Sequence, residues 1–122
     1  MGKKILVVDD EVDIVEQLRL RLEYSGYQVF EANNGEQALE KVRLEGPDLV
    51  ILDVMMPPPN GFQVCRMLKD DPEFKHIPII MLTAKSTDSD QFWGMESGAD
   101  DYITKPYNAE ELMKKISGLI GG

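Results

Sequence analysis

Four short runs of mostly apolar residues recur along this 122-residue chain. They are Ile5 to Val8, Leu49 to Leu52, Ile79 to Leu82 and Tyr102 to Thr104. Runs of this length and composition are typical of strands that are buried on both faces of a parallel sheet. Parallel strands all end at one edge, and open α/β sheets bind their ligands there. The residues that follow these runs are therefore the candidates for a functional site.

The stretches between the runs have helical periodicity and recognisable ends. Helices are predicted at Asp13 to Ser25, Asn34 to Gly46, Asn60 to Asp71, Ser89 to Ser97 and from Asn108 onward, and Tyr27 to Ala32 is a further predicted strand. The helical residues expected to face the core are Ile14, Val15, Leu18, Leu22, Val64, Cys65, Leu68, Leu112, Ile116 and Leu119. The alternation predicts one α/β domain over residues 1–122, a (βα)5 doubly wound sheet of five parallel strands.

Composition and charge exclude several classes of function. Twenty-two acidic residues against thirteen basic ones give a net charge of −9, so direct binding to nucleic acid is not expected. No apolar run approaches the length of about 18 residues that a membrane span needs, so we expect a cytoplasmic protein that does not associate with membranes. The single Cys65 excludes an internal disulfide and fits a small core side chain in a reducing compartment.

Polar residues follow the apolar runs at the predicted edge of the sheet. Asp9 and Asp10 follow the first run, Asp53 the second, Thr83 the third and Lys105 the fourth. If the first and third strands are neighbours, as in many doubly wound sheets, Asp53 faces Asp9 and Asp10. Three crowded carboxylates repel one another unless a cation lies among them, and a hard divalent ion such as Mg²⁺ suits oxygen ligands best.

This set of residues suggests phosphoryl transfer, although all of them except Asp53 also have a simpler structural explanation. Asp53 would be the nucleophile, and Mg²⁺ and Lys105 would neutralise the charge of the transferring oxygens. The Thr83 hydroxyl and a nearby backbone amide would donate hydrogen bonds to the phosphoryl group. Alternatively, Asp9 and Asp10 cap the first helix, Lys105 is a solvated lysine, and Thr83 caps the fourth helix.

Four motifs lie in order along the chain. They are Val7-Val8-Asp9-Asp10-Glu11, Leu52-Asp53-Val54-Met55-Met56-Pro57 leading to Asn60-Gly61, Leu82-Thr83-Ala84, and Gly98-Ala99-Asp100-Asp101-Tyr102 leading to Lys105-Pro106. These motifs resemble those of the receiver domain of two-component response regulators, the CheY-like family. The resemblance runs from about Lys3 to Leu119. It implies the flavodoxin-like strand order 2-1-3-4-5.

The resemblance also implies a role for each site residue. Asp53 accepts the phosphoryl group, and Asp10 and Asp53 bind Mg²⁺ together with the main-chain carbonyl of Met55, while Asp9 acts mainly through water. Lys105, Thr83 and the Ala84 amide contact the phosphoryl group. The bond between Lys105 and Pro106 is expected to be cis. Thr83 and Tyr102 form the switch pair, which changes the surface made by the fourth helix, fifth strand and fifth helix.

The same resemblance implies partners and leaves alternatives open. The donor is a sensor histidine kinase or a histidine phosphotransfer protein, and the receiver then catalyses its own phosphorylation and dephosphorylation. The changed surface would bind a downstream protein target or output domain, or a second copy in a phosphorylation-dependent homodimer. The chain is either a free-standing receiver, which we favour, or part of a longer DNA-binding regulator. A different class is an aspartate-nucleophile phosphatase, although such enzymes resemble a pattern with a second Asp where this chain has Met55.

Overall fold

The computed structural model describes residues 2–83 and 98–121. Within these ranges the strands are β1 (Lys4–Val8), β2 (Gln28–Ala32), β3 (Leu49–Asp53), β4 (Ile79–Thr83) and β5 (Asp101–Thr104). The helices are α1 (Val12–Tyr24), α2 (Gly35–Glu45), α3 (Gly61–Asp70) and a C-terminal helix (Ala109–Ile120). The predicted helix at 89–97 and the predicted phosphoryl contact Ala84 lie outside the described residues.

The five strands form one parallel sheet in the order β2-β1-β3-β4-β5, which confirms the expected doubly wound order. Val8 pairs with both Ala32 and Leu52, so β1 ends level with β2 and one residue before β3. Thr83 pairs with Thr104, which aligns the ends of β4 and β5. The carboxyl ends of β1, β3, β4 and β5 therefore meet at one edge of the sheet.

Alternate residues of each strand face opposite layers of helices, because successive side chains of a strand point to opposite faces. One core layer packs Leu6, Val8, Val50, Leu52, Ile79 and Met81 against the buried faces of α2 and α3. The other packs Ile5, Val7, Leu49, Ile51, Ile80 and Leu82 against α1 and the C-terminal helix. Cys65 is buried in the first layer, as expected for a core side chain.

The predicted buried faces of the helices are confirmed except at Leu119. This side chain is 36% exposed, whereas Leu112 and Ile116 are fully buried. The buried stripe continues from Ile116 to Ile120, four residues later, and Ile120 packs against the core. A spacing of four follows the helical period, so the stripe passes beside Leu119 rather than through it.

Asparagine side chains cap the N-termini of three of the described helices. Asn34, Asn60 and Asn108 accept hydrogen bonds from the backbone N–H groups of Gln37, Gln63 and Glu111 at 2.8, 2.9 and 3.0 Å. At α3 the Gln63 side chain also accepts from the Asn60 backbone N–H at 2.8 Å, which completes a capping box. The described part of the chain contains no helix with the length and apolar character needed to cross a membrane.

Replacing Asn60 with alanine is expected to lower the free energy of unfolding by about 1 kcal/mol, because the first turn of α3 loses its side-chain acceptor. Urea denaturation followed by circular dichroism would measure this change. Asn33→Ala, which alters an exposed residue just before the N-cap of α2, serves as the control and should change stability by less than about 0.5 kcal/mol. Equal losses in both variants would show that the cap of α3 contributes nothing specific.

Candidate functional site

The edge of the sheet brings Lys105 into contact with three carboxylates. Its ammonium nitrogen Nζ lies 2.8 Å from Asp9 Oδ2, 3.2 Å from Asp53 Oδ1 and 3.4 Å from Glu11 Oε1. The Lys105 side chain is only 14% exposed. The alternative in which Lys105 is a solvated lysine at the end of a strand is therefore wrong.

Asp9, Asp10 and Asp53 lie together, as the sequence predicted. Each offers a carboxylate oxygen, and these three oxygens lie within 4.8 Å of one another. Asp9 and Asp53 are buried, whereas Asp10 is exposed to solvent. The cluster thus contains two buried carboxylates, Asp9 and Asp53, and one solvent-exposed carboxylate, Asp10.

Asp9 has one carboxylate oxygen without a hydrogen bond. Its Oδ1 accepts from the backbone N–H of Glu11 at 2.9 Å, so Asp9 holds the residue that precedes α1. Its buried Oδ2 faces Lys105 at ion-pair distance but has no hydrogen bond of good geometry. Lys105 is one cation that balances this buried charge, and a bound metal ion would add a second. Together with the clustered carboxylates, this oxygen fits a hard divalent cation such as Mg²⁺.

Burial and charge alter the ionisation of the central pair. Burial, and secondly the negative charge of Asp9, raises the pKa of Asp53 to about 6, although Lys105 and the Met55 N–H oppose the change. Burial alone would lower the pKa of Lys105, but its close contact with Asp9 and the charges of Asp53 and Asp9 outweigh burial and raise it. Lys105 therefore stays protonated near neutral pH, while the pKa of Asp53 lies just below neutral pH.

The backbone around the site connects its parts. The Met55 N–H approaches Asp53 Oδ1 at 3.4 Å, and the Lys105 N–H donates to the Thr83 carbonyl at 2.6 Å. The peptide bond between Lys105 and Pro106 is cis, as expected from the resemblance, and so is that between Pro58 and Pro59.

The two residues of the predicted switch pair lie on neighbouring strands. Thr83 is the last residue of β4 and is 2% exposed, while Tyr102 on β5 pairs with Met81 and is partly buried against the core. The alternative in which Thr83 caps the next helix concerns residues outside the described ranges.

Sequence reasoning assigned no role to two residues that the structure places at the site. Glu11 stands in the acidic motif and is the third carboxylate on Lys105. Gly61 packs against the backbone of Asp53. Glu11 could have been suspected from its position beside Asp9 and Asp10, whereas the contact of Gly61 crosses between elements and has no local signal in the sequence.

A family model described as "Response regulator receiver domain" matches residues 5–117. The chain belongs to this family. The receiver is 48% identical over 120 residues to the alkaline phosphatase synthesis transcriptional regulatory protein PhoP of Bacillus subtilis, a match covering 98% of the chain and 49% of that relative. It is 42% identical over 119 residues to protein PilH of Pseudomonas aeruginosa, covering 98% of both. The receiver thus spans about half of PhoP but nearly all of PilH.

Solved structures support the same assignment of family and fold. A putative response regulator from Chloroflexus aurantiacus superposes with a TM-score of 0.95 at 35% identity and covers 100% of both chains. The chemotaxis protein CheY4 of Vibrio cholerae gives a TM-score of 0.91 at 32% identity and covers 98% of this chain and 99% of that one. The chain is therefore a phosphorylation-activated response regulator receiver with the CheY-like, flavodoxin-like fold.

Proposed function

We propose that Asp53 is the phosphoacceptor of this receiver and that the reaction requires Mg²⁺. The observation that carries the proposal is the contact of Lys105 with buried Asp53 and Asp9 at the carboxyl edge of the sheet. A nucleophile at this position contacts a fixed cation, and the carboxylates of Asp9 and Asp10 lie close to it. Asp10, Asp53 and the main-chain carbonyl of Met55 would hold the ion, with Asp9 acting mainly through water. When bound, Mg²⁺ would supply positive charge to the oxygens of the transferring phosphoryl group.

The reaction that the residues of the chain support is an in-line displacement at phosphorus. A carboxylate oxygen of Asp53 attacks, a P–O bond to Asp53 forms, and the bond between phosphorus and the donor breaks, its electrons leaving with the donor. The donor is the phosphohistidine of a sensor kinase or phosphotransfer protein. Lys105 stabilises the charge on the transferring oxygens, and the Thr83 hydroxyl and the Ala84 amide donate hydrogen bonds to them. Attack of water on the same phosphorus later breaks the P–O bond to Asp53, which releases inorganic phosphate and restores the Asp53 carboxylate.

Phosphorylation would change the conformation of the protein through Thr83 and Tyr102. Movement of the Thr83 hydroxyl toward the phosphoryl group would let Tyr102 turn inward and change the surface formed by the predicted fourth helix, β5 and the C-terminal helix. This surface would bind a downstream protein, an output domain or a second receiver. The Lys115–Asp101 ion pair, at 3.0 Å, already links the C-terminal helix to β5 within one chain.

Two observations concern whether the receiver is free-standing or joined to an output domain. The relatives that it matches over about half of their length include transcriptional regulators, which favours an arrangement with a DNA-binding output domain. The match to PilH over nearly its whole length favours a free-standing receiver. An aspartate-nucleophile phosphatase is disfavoured, because this chain has Met55 at the position where the pattern of those enzymes has a second Asp. In either setting, the receiver itself would contact protein partners rather than nucleic acid.

Acetyl phosphate and Mg²⁺ are expected to add one phosphoryl group to the protein, as measured by intact mass. Asp53→Asn and a sample in EDTA should remain unlabelled. Asp48→Asn is a matched control at the opposite end of β3, where Asp48 accepts a hydrogen bond from the Lys4 N–H at 2.7 Å, and it should be labelled like the wild type. Labelling that persists in Asp53→Asn would overturn the assignment of Asp53, and labelling in EDTA would overturn the requirement for Mg²⁺.

A further inference from the structure

The first residue of α3 lies against the backbone of Asp53. A methyl group on Gly61 would overlap the carbonyl oxygen of Asp53 and would lie 2.8 Å from the Val54 Cα and 2.9 Å from the Asp53 carbonyl carbon. Real Cβ atoms do not approach backbone atoms this closely, so alanine at this position must push the two segments apart. The Gly61 N–H also donates to the Val54 carbonyl at 3.2 Å. Gly61 is not among the glycines with positive φ, so space rather than backbone conformation excludes a side chain here.

A second glycine bounds the other end of the same loop. A methyl group on Gly35, the first residue of α2, would overlap the Pro59 carbonyl oxygen and would lie 2.7 Å from the Pro59 Cγ and 2.9 Å from the Val64 Cγ2. The segment from Val54 to Asn60 is therefore seated between the N-termini of two helices, and both contacts require the absence of a Cβ.

This loop carries the groups on which the proposed site depends. Asp53 ends β3, the Met55 N–H approaches the Asp53 carboxylate at 3.4 Å, and the Met55 carbonyl is the proposed main-chain ligand of Mg²⁺. Beyond Asp53 the segment leaves the sheet after the bond from the Val54 N–H to the Leu82 carbonyl at 3.0 Å. After this last bond to the sheet, the close packing of Gly61 at the start of α3 is the contact that can set the position of the Asp53–Met55 backbone.

We propose that Gly61 is a positioning residue for the phosphoacceptor, and that its close contact with the Asp53 backbone sets the geometry in which the Asp53 carboxylate and the Met55 carbonyl can share one cation. Gly35 supports the same loop from its far end through Pro59. This inference rests on the proposed function, because it concerns the Mg²⁺ site. It differs from a purely structural role in predicting that metal affinity and stability respond separately to substitution.

The test is a calorimetric titration of the purified protein with MgCl₂, with thermal unfolding in EDTA measured in parallel. Gly61→Ala is expected to raise the Kd for Mg²⁺ at least tenfold. Asn60→Ala is the matched control, since it weakens the same helix terminus without adding a group next to Asp53, and its Kd should stay within twofold of the wild type. Gly118→Ala is a second control, because a methyl group there meets no atom within 4 Å among the described residues.

Each outcome of the titration decides a different claim. A Kd for Gly61→Ala within twofold of the wild type, or an equal rise in Asn60→Ala, would overturn the positioning role. If Gly61→Ala does not fold, Gly35→Ala takes its place with an expected rise of at least threefold, and an unchanged Kd in that folded variant would overturn the inference. Failure of the wild type to bind Mg²⁺ would instead overturn the proposed function.

Discussion

Replacement of Lys105 with methionine is expected to slow the labelling of Asp53 by acetyl phosphate by about 100- to 1000-fold. Lys105 is a nearly buried cation that contacts Asp9 and Asp53 at 2.8 and 3.2 Å. Methionine has a similar shape but provides no charge to the transferring phosphoryl oxygens. Preorganised charges of this kind act strongly because the surrounding protein excludes water. The initial rate of mass gain at a fixed concentration of Mg²⁺ measures the effect.

The same variant is expected to lose about 3 kcal/mol of stability at pH 7.5 in EDTA. Removal of the ammonium leaves Asp9 and Asp53 buried without their shared cation, and one of them must then take up a proton or remain charged in a poorly solvated place. Urea unfolding would report this loss independently of catalysis.

Lys115→Met provides the matched control for both measurements. Lys115 also forms an ion pair at 3.0 Å, but its side chain and that of Asp101 are 27% and 32% exposed, so the pair contributes less than about 1 kcal/mol. Its labelling rate should equal that of the wild type, since Lys115 contacts Asp101 at the start of β5 and the site lies at the carboxyl ends of the strands. Wild-type labelling in Lys105→Met would contradict the role of Lys105, whatever happened to stability.

The elements that the sequence predicts well are those with strong local signals. The apolar runs identify β1, β3 and β4 because a strand covered on both faces is apolar throughout. Asn60 and Asn108 mark helix starts because the side chain must satisfy a free N–H group. Once the strands are parallel, the convergence of Asp9, Asp53 and Lys105 follows from the rule that their ends share one edge.

Other features depend on three-dimensional packing and carry no local signal. The strand order came from the resemblance to receivers, since the apolar runs do not specify which strands are neighbours. Asp9 is buried and Asp10 is exposed, although the two aspartates are adjacent and chemically identical. The contact between Gly61 and Asp53 depends on how closely α3 approaches β3, and the exposure of Leu119 depends on where the last turn of its helix meets the core.

Asp53→Asn is expected to stabilise the metal-free protein at pH 7.5 by about 1 to 3 kcal/mol. Burial and the charge of Asp9 raise the pKa of Asp53 from 3.8 to about 6, so the folded state binds a proton that the unfolded state releases. The wild type is therefore expected to lose stability from this group as the pH rises from about 4 to about 6, and to recover none of it above pH 6. Asparagine carries no charge, so this part of the pH dependence should disappear in the variant.

Urea unfolding in EDTA at a series of pH values from 4 to 8 would measure the difference between the two proteins, which should grow through this interval and then level off. Asp10→Asn is the control, because Asp10 is exposed and its removal should change stability by less than about 1 kcal/mol at any of these pH values. Addition of MgCl₂ should narrow this difference in stability at pH 7.5, since an ion that binds only the folded state stabilises the wild type further with each increase of its concentration above the Kd. Parallel pH profiles for wild type and Asp53→Asn would mean that Asp53 is not the buried carboxylate that resists ionisation.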